Sequence, residues 1–118
     1  METNVNESRV VINLCPHPLN ILDSEGEVRD FPKCETPARV SQTEELEGYI
    51  LGVPVTKQKF GQVENLPEYK QGTFYVVSRM VAAAAAAEGR KTSDLLIPGP
   101  GVRDEQGRII GAKGFSVL

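Results

Sequence analysis

The segment from Thr73 to Gly89 constrains the fold more than any other. It runs TFYVV, then Ser78, then RMVAAAAAAE, then a glycine. Five β-branched and aromatic residues read as a strand. Six consecutive alanines read as a helix, because alanine has the highest helix propensity. Ser78 stands at the N-cap position and Gly89 where a left-handed C-terminal residue is expected. The spacing predicts one helix, Arg79–Glu88, entered from a buried strand. Its small side chains let it lie close against a sheet or an oligomer interface.

No other stretch has helical periodicity. Short β-branched runs are separated by 8 prolines and 11 glycines. Arg9–Leu14 (RVVINL), Leu19–Asp23, Val28–Phe31, Ala38–Ser41, Tyr49–Lys59, Asp94–Ile97, Arg108–Ile110 and Phe115–Leu118 read as strands. Asp23–Gly26 (DSEG) and Asp104–Gly107 (DEQG) read as similar turns without forming a repeat. Gln42–Gly48 reads as a solvated acidic loop, and Phe60–Lys70 as irregular. The expected fold is mainly β (α+β): a compact antiparallel β-sheet domain with one alanine-rich helix. Residues 1–8 are expected to form a frayed end and residues 9–118 a single β-rich domain.

A chain of 118 residues supports one core without metal or disulfide. If compact, it has a radius of gyration of about 13–14 Å. With no tryptophan, four Phe and three Tyr, that core must consist mostly of Val, Ile and Leu. The net charge is −3, and the 13 Lys and Arg are scattered, which argues against a general nucleic-acid binder. The longest uncharged apolar run, Met80–Ala87, is far short of the roughly 20 residues that cross a bilayer. Met1–Arg9 is polar and carries no signal-peptide stretch, so a reduced cytoplasmic protein is expected. A Cys15–Cys34 disulfide is the less favoured alternative.

Three segments could carry chemistry. In Asn13-Leu14-Cys15-Pro16-His17-Pro18 the only histidine sits between two prolines that restrict the backbone. Asn13 and His17 could face a polar ligand, or could satisfy nearby backbone groups. Ser78 and Arg79, at the helix start, could form a small anion site or an ordinary cap. Pro98–Asp104 (PGPGVRD) places Arg103 after a glycine corner that lets a ligand approach the backbone. Arg103 and Arg39 could each hold a phosphate or pair with a surface carboxylate. Tyr49, Tyr69 and Tyr75 could stack on a base, but such strand positions more often belong to a core.

No catalytic constellation emerges. Cys15, His17 and Cys34 offer at most three metal ligands at spacings unlike zinc modules. A Cys15–His17 nucleophilic pair is geometrically doubtful, and Glu44, Glu45 and Glu47 read as solvated. No metal and no cofactor is expected.

The motif order is specific. N-L-C-P-H-P (13–18), P-A-R-V-S (37–41), G-V-P-V (52–55) and G-T-F-Y-V-V-S-R (72–79) are followed by D-L-L-I-P-G-P-G-V-R-D (94–104) and G-R-I-I-G-A-K-G-F-S-V (107–117). This order, over about residues 9–118, resembles a family of small proteins of bacteriophages and actinomycetes. That family more often carries threonine at the position of Cys15, which weighs against a role for this thiol. By size, source and pocket chemistry it is similar to phage anti-defence "sponge" proteins. Those are homo-oligomeric and non-catalytic, and sequester nucleotide second messengers in the host cytoplasm.

The resemblance implies a sponge for a cyclic oligonucleotide or an ADP-ribose derivative. The ligand-binding candidates are Asn13, His17, Arg39, Ser78, Arg79 and Arg103; the Asn13–His17 break and the Ser78–Arg79 helix start are expected near one pocket of a homo-oligomer, with Arg103 of the same or another subunit as its candidate completion. The competing readings are a structural or protein-interaction module of a phage and a small nucleotide hydrolase with His17 as base.

Overall fold

The computed structural model describes residues 9–118, so the expected frayed end at 1–8 lies outside the described residues. The fold is mainly β with one helix. The strands are β1 (Val10–Asn13), β2 (Leu19–Leu22), β3 (Val28–Phe31), β4 (Arg39–Ile50), β5 (Val53–Glu64), β6 (Thr73–Val76), β7 (Leu95–Pro98), β8 (Gly101–Arg103), β9 (Ile109–Lys113) and β10 (Phe115–Ser116). Helix α1 (Arg79–Ala87) lies between β6 and β7.

One sheet has the order β1-β6-β7-β10, a second β3-β2-β9-β8, and β4 pairs with β5 alone. The expected antiparallel pairing holds for β2–β3, β4–β5, β7–β10 and β8–β9. The strands beneath the helix differ: β1–β6 and β6–β7 are parallel, as is β2–β9 between the hairpins. A chain that leaves β6 through a helix lying on the same sheet re-enters from the opposite end, and that makes β7 parallel.

Alternation along β6 and β7 divides the interior. Tyr75, Val77, Leu95 and Ile97 pack with Leu14, Ala38 and the helix residues Val81, Ala82 and Ala85. Val76 belongs to a second cluster with Cys15, Leu19 and Ile21, bordered by Leu96, Phe31 and Phe115. The first cluster lies under the helix and the second between the two sheets. The Ser78 hydroxyl accepts from the Val81 N–H (3.2 Å), and Gly89 takes a φ of 88°. The helix therefore starts and stops where its sequence signals stand.

Past the helix, Asp94 is 2% exposed and takes both its oxygens to Arg90, at 2.9 Å each. Arg90 also donates to the Pro67 carbonyl, which ties the loop before β6 to the start of β7. The two acidic turns adopt one solution. Asp23 Oδ1 accepts from the N–H groups of Glu25 and Glu27, and Asp104 Oδ1 from those of Gln106 and Arg108.

Two expectations are corrected. Residues 42–48 are not a loop and residues 60–64 are not irregular: they belong to two paired strands of 12 residues each. The acidic run concealed the strand because both of its faces meet solvent, so no apolar alternation marks it. The chain is also not compact. Its radius of gyration is 17.4 Å and its extents are 59 × 40 × 31 Å. The β4–β5 hairpin is an arm whose base alone touches the body: Val40 and Val63 pack on the first cluster, and the Val63 N–H donates to Glu88. Between 41 and 62 no residue is buried. The arm turns at Leu51-Gly52, with φ of 53° and 76°. A two-residue hairpin turn of this kind favours Asn-Gly, so leucine there costs about 1 kcal/mol in backbone strain.

The alanine face packs on the body's own sheet, which predicts a polarity of effect around the helix. Ala85→Leu should destabilise the protein by about 1–3 kcal/mol, whereas Ala83→Leu, on the exposed side, should stay within about 0.5 kcal/mol. Denaturant midpoints compare the two. Asp94→Ala should cost about 3–5 kcal/mol by stranding the largely buried Arg90 guanidinium.

Candidate functional site

The ends of β1, β6 and β7 lie side by side, with Asn13 opposite Val76 and Val76 opposite Leu96. Beyond them the chain leaves the sheet as the Cys15–Pro18 segment, the helix start and the Pro98–Gly101 corner. The carboxyl edge of parallel strands is the usual place for a ligand in open sheets, because connections diverge there and leave a crevice. Next to it lies a cavity of about 380 Å3.

Three segments make its walls: His17–Ile21 into β2, the Pro98–Gly101 corner, and Ile109–Ala112 of β9. Pro18, Pro98, Ile109 and Ile110 supply apolar surface, while His17, Asn20 and the peptide groups of three glycines supply polarity. The corner can only be built with glycine at position 99. A Cβ there would strike the Lys113 carbonyl oxygen, and the Gly99 N–H donates to the Gly114 carbonyl at 2.8 Å. Gly111 is equally committed, since its Cβ would meet the Asn20 carbonyl at 2.8 Å. These close backbone approaches hold β9 against β2 and the corner, and they fix the cavity's shape.

Asn13 does not face the cavity as a ligand group would. It is 7% exposed. Its Nδ2 donates to the carbonyls of His17 (3.1 Å) and Pro32 (3.0 Å), and its Oδ1 accepts from the Cys15 N–H (2.8 Å). The side chain is a staple that folds the Pro16-His17-Pro18 segment back on β1 and sets His17, which is exposed, at the cavity wall.

Of the six candidates, His17 alone lines this cavity. Gly101, two residues before Arg103, also lines it, but the Arg103 guanidinium donates to the Gly107 carbonyl within the β8–β9 turn. Ser78 caps the helix, and Arg79 is exposed on its first turn. Arg39, at the base of the arm, pairs with Glu64 at 3.3 Å. The structure therefore places the Asn13–His17 segment and the Ser78–Arg79 helix start on one sheet edge without joining them in the cavity.

Sequence reading missed Asn20, Ile109, Ile110 and Gly111 as wall residues. The PGPG corner carried the available signal, but it drew attention to Arg103 rather than to the glycines. Among the tyrosines, Tyr75 is core; Tyr49 lies on the arm, and Tyr69 is exposed beneath the Lys91 ammonium, 4.3 Å from its ring centroid.

Both cysteines are free thiols, and the Cys34 N–H donates to the Cys15 carbonyl. Burial pushes the Cys15 thiol above its ordinary pKa, and proximity to Cys34 adds to this. Cys15 is thus a poor nucleophile, because the thiolate is the reactive form. Among the described residues no group of three His, Cys, Asp or Glu side chains is placed to hold a metal ion, and no helix is long and apolar enough to cross a membrane.

Two outcomes follow. In the native protein an alkylating reagent at pH 8 should modify Cys34 well before Cys15, with the difference abolished in denaturant; mass spectrometry of the labelled peptides reads this. Asn13→Ala should cost about 2 kcal/mol or more, because it removes three hydrogen bonds from a buried site. Thermal denaturation measures that loss.

Comparison of the chain with protein families, with curated proteins and with solved structures found no match.

Proposed function

We propose that this protein binds a small nucleotide-derived ligand without turning it over, as a sponge of the phage anti-defence type, in the host cytoplasm and as a homo-oligomer. The observation that carries the binding part is the cavity of about 380 Å3 beside the parallel strand ends. Its volume falls in the range of small-molecule sites. The walls favour a flat ring: proline and isoleucine surfaces on the sides, with an imidazole and an amide side chain to read the ring's edges. A nucleobase has this chemistry. Exposed glycine backbone lets a planar group approach closely.

Phosphates need cations, and none of the three candidate arginines lines the cavity within one chain. Arg103 stands two residues from Gly101 and could turn to a phosphate by giving up its bond to Gly107. A second copy could present Arg79 or Arg39. The sponge assignment itself is supported by the family resemblance. A second reading, a protein-interaction module, is favoured by the arm, whose exposed residues serve no cavity.

Thermal-shift titration with a panel of cyclic oligonucleotides and ADP-ribose derivatives tests the proposal. A ligand at 100 times its Kd should stabilise the fold by about 2.7 kcal/mol and should be recovered intact after heat release. His17→Ala and Arg103→Ala should each weaken binding at least tenfold with little change in Tm. If no nucleotide shifts the melting curve, the interaction-module reading takes over. If the ligand is recovered hydrolysed, the protein is an enzyme.

A further inference from the structure

We infer that the β4–β5 arm is the assembly element of this protein and that its tip seats on a second copy of the same chain. Three features of the arm lead there.

First, a two-stranded ribbon is marginal in water unless further strands or a packed face support it. This one runs 12 residues on each strand, and beyond its base it packs on nothing in its own chain. Second, its distal half is apolar. Leu46, Tyr49, Ile50 and Val53 are all more than 50% exposed, and Leu51 at the apex is 98% exposed. Third, Leu51 occupies a left-handed backbone position, φ 53°, where asparagine or glycine would sit without strain. A fully solvated leucine in a strained turn gains nothing within the chain. It fits an anchor that is buried on association.

The surface area selects the partner. The chain exposes 8548 Å2, whereas a compact monomer of its mass exposes roughly 6300 Å2. The excess of roughly 2000 Å2 exceeds the roughly 800 Å2 that each partner gives to a standard interface, and is of the size that permanent assemblies bury. An arm that needs cover whenever the chain is folded must find a partner present in matching amount, and a second copy meets that condition at every concentration. The body offers apolar ground to receive it outside the cavity: Val10 and Ile12 on the edge strand β1 are exposed.

This inference rests on the homo-oligomer part of the proposed function and names the element responsible; it does not depend on the ligand. The test is sedimentation velocity on the full chain at micromolar concentration. Two variants are compared: Leu51→Asp, and a shortened arm in which Asn-Gly joins Thr43 directly to Lys59. The deleted residues belong to neither core cluster, so the shortened chain retains its body, which far-UV circular dichroism and Tm verify. Wild type should sediment as a multiple of 12.9 kDa, Leu51→Asp at 12.9 kDa, and the shortened variant at the lower mass of its own single chain. A monomeric wild type, or a shortened variant that keeps the wild-type number of subunits, overturns the inference. So does wild type co-sedimenting with anionic phospholipid vesicles while Leu51→Asp stays in solution, since the tip would then be a membrane anchor. Nucleotide titration of the same wild-type sample separates the two ideas: an assembled protein that binds no nucleotide defeats the sponge reading and leaves the arm's role standing.

Discussion

Everything in the body depends on how closely α1 can approach β6 and β7. The helix buries Val81, Ala82 and Ala85 against Tyr75, Val77, Leu95 and Ile97, and alanine at the contact lets the backbone come near the sheet. That approach makes β6–α1–β7 a tight parallel crossover, and the crossover brings the ends of β1, β6 and β7 to one edge. The base of the arm rests on the same cluster through Val40 and Val63. A larger side chain at the contact would disturb the sheet edge and the arm together.

The cavity is built by different means. Its shape comes from backbone against backbone, at Gly99 and Gly111, where any side chain would strike a carbonyl. Its one candidate side chain, His17, is placed indirectly by Asn13, which spends its hydrogen-bonding capacity on the backbone groups around it. Asn13 thus does the positioning, four residues from the side chain that it sets at the cavity wall. The arrangement is rigid at low entropic cost, because two prolines already restrict the segment that Asn13 ties down.

The arm contrasts with both. The body buries two apolar clusters, on opposite sides of β6 and β7. The arm satisfies only its backbone, along one edge of each strand, and leaves leucine, isoleucine, tyrosine and valine in water. A fold so unequal in its two parts makes sense where the unsatisfied part completes its burial on another molecule.

Local signals in the sequence determined the elements whose physics is local. Ser78, the alanines and Gly89 set the helix and its ends; β-branched runs set β1, β2, β6 and β7; the two Asp-to-Gly turns formed as read, each with its aspartate accepting from two backbone N–H groups. The β-rich class with one helix was legible for the same reason. Tertiary structure decided the rest. Parallel rather than antiparallel pairing follows from where the helix returns the chain, which no strand encodes. The long arm was hidden because a ribbon solvated on both faces has no apolar period. The roles of Asn13, Gly99 and Gly111 depend on carbonyls of residues distant in the chain: Pro32, Lys113 and Asn20. Side-chain type announces what a residue can bond to, but only the folded chain determines which partner comes within reach.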